Sequence, residues 1–184
     1  MPLARLPPPF RQGNLDTLCG LYAILNAIKL ALGSETSTLS RRDWQRLFRK
    51  LLREADHRVG LVHATSHGVD AAPLRKLIAA ADKHLAKRHG LRLIVERPFR
   101  ASESVAFKTL ERWLAEVLDE RGSAVIVGLG GAFDHWTTAH RLTADYLCFY
   151  DSAGINRVRL DRCRREQIVD GPSLLRIRLA PSSA

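Results

Sequence analysis

The chain has 184 residues, 46% of them hydrophobic, 26% charged and 7% aromatic. That is enough apolar material for one domain with a sizeable core, and too much for a disordered tail. No run of about 18 uncharged apolar residues is present to span a membrane as a helix. The opening residues 1–9, rich in proline, lack the apolar stretch of a secretory signal, so a cytoplasmic protein is expected. The net charge of +10 favours acidic partners, either nucleic acid or an acidic protein. The basic residues are spread out, however. Residues 41–58 carry seven Lys or Arg against three acids, 70–92 six against two, and 155–184 seven against three. That is the pattern of a solvated basic surface. Three cysteines, Cys19, Cys148 and Cys163, are odd in number and form no CxxC pair. They argue against a disulfide scaffold and against structural zinc.

In chain order, residues 1–15 read as an extended lead-in. Residues 17–32 form a helix that is apolar on every side, hence buried, with Asp16 or Thr17 as its N-cap and Gly33 as its stop. Residues 40–55 form an amphipathic helix, with Trp44, Leu47, Phe48, Leu51, Leu52 and Ala55 on one stripe and Ser40–Asp43 as a capping box. A loop is expected over 57–69. A third helix spans 72–89 before Gly90, a short strand 91–96, and a fourth helix 104–121. Strands follow at 124–127, 135–142, 146–150, 155–160 and 174–179. The expected fold is therefore α+β: a mainly helical half over 16–121, then a mostly antiparallel sheet over 122–184, with a site in the cleft between them.

Cys19 stands in the first turn of the buried helix. A helix N-terminus favours anions, but by only about 0.3–2 kcal/mol, or at most roughly 1.5 pKa units. Full ionisation of an ordinary thiol at neutral pH needs about 4–5 units, which requires a neighbouring cation. A histidine must therefore fold back onto Cys19. Of the seven histidines, His84 and His89 read as surface residues on the third helix. His57, His63 and His67 fall in or beside one loop, without a carboxylate or thiol at the spacing a metal site needs. His140 falls on the opposite strand face from His135.

His135 is distinguished by a carboxylate at a useful distance. A hairpin folding about Thr143 sets Arg141 opposite Asp145, Ala139 opposite Leu147, Thr137 opposite Phe149 and His135 opposite Asp151. Directly opposed Cβ atoms lie about 4.5–5.5 Å apart, close enough for Asp151 to orient the imidazole. The turn contains no Gly or Asn, so the register rests on symmetry. Acyl chemistry at Cys19 would also need an oxyanion donor. Gln12, ahead of Gly13, is the candidate; Asn14 competes with it, and Asn26 reads as a buried structural hydrogen-bonder.

Gln12, Cys19, His135 and Asp151, in that order, resemble the papain-like cysteine peptidase superfamily, and most nearly its double-glycine peptidases of the bacteriocin-processing type. The matching segments run from Gln12-Gly13 to Cys19-Gly20-Leu21-Tyr22-Ala23, and from His135-Trp136 to Asp151-Ser152-Ala153-Gly154. The resemblance implies a papain-like fold with Cys19 as nucleophile, His135 as general base and acid, Asp151 as orienter and Gln12 as oxyanion donor. It implies no cofactor and no metal. The pattern departs from papain in that Cys19 is followed by Gly20 and not by an aromatic residue. The substrate does not carry over.

The remaining motifs are weaker. Residues 128–131, rich in glycine, read as a flexible approach to His135 and not as a phosphate cradle. Cys148 reads as a packed thiol, and Cys163, among arginines, as a surface thiol. Three functions are consistent with the residues. The first is a thiol hydrolase acting on a peptide or isopeptide bond. The second uses the same site for deamidation or amide transfer. The third is a non-catalytic basic module that binds nucleic acid or an acidic protein, with affinity falling steeply with salt.

Overall fold

The segment apolar on every side forms helix α1 (Cys19–Leu32) in the computed structural model of the chain, which describes residues 6–33, 38–100 and 105–180. Leu21, Ile24 and Ile28 are wholly buried. Gly33 closes the helix at φ 53°, a conformation that glycine adopts without a Cβ penalty. Helix α2 (Arg41–Val59) opens with the expected capping box, Ser40 and Asp43 each bonding the other's backbone N–H, and buries Trp44, Leu47, Leu51 and Ala55. It runs past its expected end, and α3 (Leu61–Ser66) follows after one residue, so most of the expected loop is helical. The junction is Gly60 at φ 83°, tied to Asp56 by its own N–H and by that of Leu61. Only Ala64 of α3 is buried, too little apolar surface to leave a periodic signal. Helix α4 (Ala71–His89) ends at Gly90 in the left-handed conformation. His84 and His89, expected on the surface, are half-buried.

Six strands form one sheet: β1 (Leu93–Glu96), β2 (Ser123–Leu129), β3 (His135–Leu142), β4 (Tyr146–Phe149), β5 (Arg157–Arg159) and β6 (Val169–Leu179). Their spatial order is β1-β6-β2-β3-β4-β5, with every pairing antiparallel. Helix α5 (Phe107–Asp119) precedes β2; residue 104, where it was expected to begin, lies outside the described residues, as do lead-in residues 1–5. A short helix that the sequence reading missed, α6 (Leu160–Glu166), takes the end of the expected strand 155–160. Asp161 accepts the Arg162 N–H at its start, and Leu160 and Cys163, three residues apart, turn inward.

The sheet is covered on both faces. Ala124, Ile126, Leu175 and Ile177 pack with the buried sides of α1, α2 and α4. Val125, Val127, Leu129 and Leu174 pack on the other face with Leu110, Leu114 and Val117 of α5 and with Cys163. Side chains alternate across a strand, so burial on both faces explains why β2 reads as an unbroken apolar run. Among the described residues, no helix is long and apolar enough to cross a membrane.

Over residues 7–10 the lead-in is held by three side chains that bind its backbone. Asn26, completely buried in α1, accepts from Phe10 N (2.8 Å) and donates to Phe10 O (3.2 Å). Lys29 Nζ donates to Pro8 O (2.7 Å) and the Tyr150 hydroxyl to Pro7 O (2.6 Å). Asn26→Leu removes both bonds at Phe10 and strands its polar groups. It should lower the unfolding free energy by about 1–3 kcal/mol, measured as a shift in urea midpoint at unchanged m.

Candidate active site

Cys19 is the first residue of α1, 7% exposed. The expected side-chain N-cap is absent. Leu18 occupies the cap position, and the two candidates brace the approach to it. Asp16 accepts from Leu18 N (3.1 Å) and from Gly13 N (2.9 Å), and Thr17 bonds through its N–H and hydroxyl to the carbonyls of Thr65 and Ala64 in α3. The missed helix α3 thus anchors the turn that delivers the thiol. Cys19 Sγ lies 3.7 Å from Thr17 O.

The next residue requires close approach. A Cβ on Gly20 would fall 2.7 Å from Val69 Cγ2 and 3.0 Å from Leu74 Cδ1. Trp136 packs beside this glycine and donates its indole N–H to Val69 O at 2.8 Å, joining β3 to the segment between α3 and α4. Deeper in, Thr138 Oγ1 donates to Ala23 O (2.9 Å), a buried bond between β3 and α1.

His135 begins β3, and its Nε2 bonds Asp151 Oδ1 at 2.7 Å. The histidine side chain is 9% exposed and the aspartate 1%. The other carboxylate oxygen accepts from Ala153 N (2.8 Å) and Ile155 N (2.9 Å), so the turn after β4 fixes Asp151 in place. The pair forms in a register other than the one expected. The turn closes between Thr143 and Tyr146, whose backbone and hydroxyl groups bond reciprocally, and a bulge separates Ala139 from Arg141. Ala139 therefore faces Phe149, not Leu147. The same register carried onward sets Asp151 opposite Thr137, diagonal to His135. A diagonal neighbour remains within reach of a long side chain.

The charges stabilise each other. Burial pushes His135 down, but its hydrogen bond to Asp151 and the influence of the Cys19 thiol prevail and hold it at about 9. With Nε2 on Asp151, Nδ1 is the ring nitrogen left for Cys19. Burial pushes Asp151 up, and His135 outweighs it, with help from Thr137 beside it and the Ile155 N–H, bringing it to about 2.

Gln12 joins this group through Ser152. Its Oε1 accepts from Ser152 Oγ (2.9 Å), its N–H donates to Ser152 O (3.3 Å), and its Nε2 lies 3.5 Å from Asp16 O. Sequence reasoning missed Ser152 as the residue that orients Gln12; its position directly after Asp151 was the available signal. Asn14 is exposed. Cys19 and His135 face a cleft of about 800 Å³, lined by His67 and Val69 on the helical side and by Leu129 and Pro172 on the sheet side.

The other sequence candidates take structural places. Residues 128–131 are not a loose approach to His135: Gly128 pairs with Trp136 and Leu129 with His135, so they end β2 and make the turn into β3. Asp134, at φ 38°, completes that turn. Cys148 is packed, and Cys163 is wholly buried, not on the surface. Burial pushes the Cys163 thiol up to about 11 despite the Arg162 charge. His57 lies in α2, while the rings of His63 and His67 stack 4.9 Å apart. Among the described residues, no cluster of three or more His, Cys, Asp or Glu is placed to hold a metal ion.

No family model matches the chain, and no curated protein matches it in a sequence search.

The His135–Asp151 pair makes stability depend on pH in both directions. His135 is raised from 6.5 to about 9, so its contribution is complete below pH 6.5 and is lost as pH rises through 9. Asp151 is lowered from 3.8 to about 2, so its contribution is complete above pH 3.8 and is lost as pH falls toward 2. Urea unfolding of wild type and Asp151→Ala should therefore differ most between about pH 4 and 6.5. The two curves should converge toward both extremes.

Proposed function

We propose that this protein is a thiol hydrolase of papain-like fold, a cysteine peptidase acting on a peptide or isopeptide bond through Cys19, His135, Asp151 and Gln12. One observation carries the reading: an imidazole bonded to a buried carboxylate at 2.7 Å shares one cleft with a thiol at the head of a buried helix. That juxtaposition brings together three stretches far apart in sequence. It supplies the nucleophile, base and orienter that thiol acyl chemistry needs.

In this mechanism, His135 Nδ1 takes the Cys19 proton, and Asp151 stabilises the imidazolium while fixing its tautomer. The thiolate attacks the substrate carbonyl carbon. The resulting oxyanion accepts from Cys19 N–H, which has no intrahelical acceptor at the first helical position, and from Gln12 Nε2. Ser152 holds the carbonyl end of Gln12, which presents the amide nitrogen as donor. His135 returns its proton to the leaving amine, and the amine departs to leave a thioester on Cys19. Water, deprotonated by His135, then attacks the thioester and releases an acid and the free thiol.

Iodoacetamide should label Cys19 selectively: all three thiols are buried, but Cys19 lines the cleft beside His135. Cys19→Ala should abolish both that labelling and peptide cleavage, with a loss of several orders of magnitude in kcat/KM. Mass spectrometry of the products should find new carboxyl termini; a new amide would reassign the site to acyl transfer. The working pair needs His135 protonated, so activity should fall as pH rises through about 9. Asp151→Ala removes the stronger of the two influences that raise His135 and should move that alkaline limb to lower pH. An unmoved limb would sink the assignment of Asp151.

A further inference from the structure

A second concavity lies along α1, on the side of the lead-in. It encloses about 590 Å³, within the range of small-molecule sites. Its walls are aromatic: Phe10 and Trp44 contact at 5.0 Å between ring centroids, and Tyr22 and Phe48 at 5.2 Å. Leu25 and Leu39, both buried, line it as well. Its charged lining residues, among those described, are cationic. Arg11 and Arg41 are exposed, and Lys29 reaches across the Phe10 ring at 4.4 Å while donating to Pro8 O. Among the described residues no acidic side chain lines it, and neither arginine has an ion-pair partner.

We infer that this cavity binds an amphiphilic monoanion, an apolar alkyl or aryl body ending in a carboxylate. The aromatic walls would take up the apolar body by removing its surface from water. The guanidinium groups of Arg11 and Arg41 match a carboxylate in shape and charge. An apolar cation would meet the like charges of Arg11 and Arg41. The site is separate from the Cys19 cleft, with which it shares no lining residue.

Calorimetric titration of the full chain with decanoate, 2-naphthoate and decylamine tests this without reference to any activity. Decanoate or 2-naphthoate should bind with one-to-one stoichiometry and decylamine should not. The tighter of the two acids tells an alkyl body from an aryl one. The double charge reversal Arg11→Glu/Arg41→Glu should weaken the acid at least tenfold. Gln45→Trp, an exposed lining position where a larger side chain fills the mouth, should do the same. Circular dichroism checks that each variant folds, and the one that folds decides if the other does not. Absence of acid binding, equal binding of decylamine, or affinity that survives both variants overturns the inference.

Discussion

The packing of the first turns of α1 against β3 is the contact on which the site depends. Gly20 lets the helix approach Val69 more closely than a Cβ would allow, with Leu74 and Trp136 packed beside it. The Thr138 hydroxyl then bonds the Ala23 carbonyl in the buried interface. Such a bond is costly to break, because both polar groups would be left without water. Cys19 opens α1 and His135 opens β3, so fixing one element against the other fixes the distance between sulfur and imidazole. The indole of Trp136 reinforces the same joint from the Val69 side.

Around that joint, each polar group at the site is oriented by a further layer. Asp151 uses one oxygen for His135 and the other for the two amides of its own turn. Ser152, the next residue, turns its hydroxyl to Gln12. Residues 151 and 152 thus orient both proposed partners of the thiol, the base and the oxyanion donor. Asp16 and α3 perform the equivalent service for the turn that carries Cys19. A preorganised arrangement of this kind is what electrostatic stabilisation of a developing oxyanion requires.

The excess positive charge is not distributed evenly among the concave surfaces. The cleft at Cys19 includes Asp70, Asp134 and Asp170 alongside Arg75 and Arg97. The cavity beside the lead-in has, among the described residues, Arg11, Lys29 and Arg41 as its charged lining. A single figure of +10 therefore describes the long-range field of the molecule and not the local chemistry of either concavity.

Periodicity along the chain was enough to identify α1, α2, α4 and α5, because a long apolar stripe is a local property of the sequence. The strand character of β2 and β3 was legible for the same reason, and so was the capping of α2 by Ser40 and Asp43. Helices α3 and α6 were not. Each is a single short element that buries one or two side chains, and its existence depends on what it packs against. The meeting of His135 with Asp151 was legible as well, from their spacing about a hairpin turn, although the register differs from the expected one. What tertiary structure alone decided was the register and the supporting contacts. The bulge at Ala139–Arg141 shifts the hairpin, Ser152 finds Gln12, Trp136 finds Val69, and Cys163 turns into the core. These follow from contacts between residues far apart in the chain, whose free energy depends on the whole packed arrangement and so leaves no local trace in the order of amino acids.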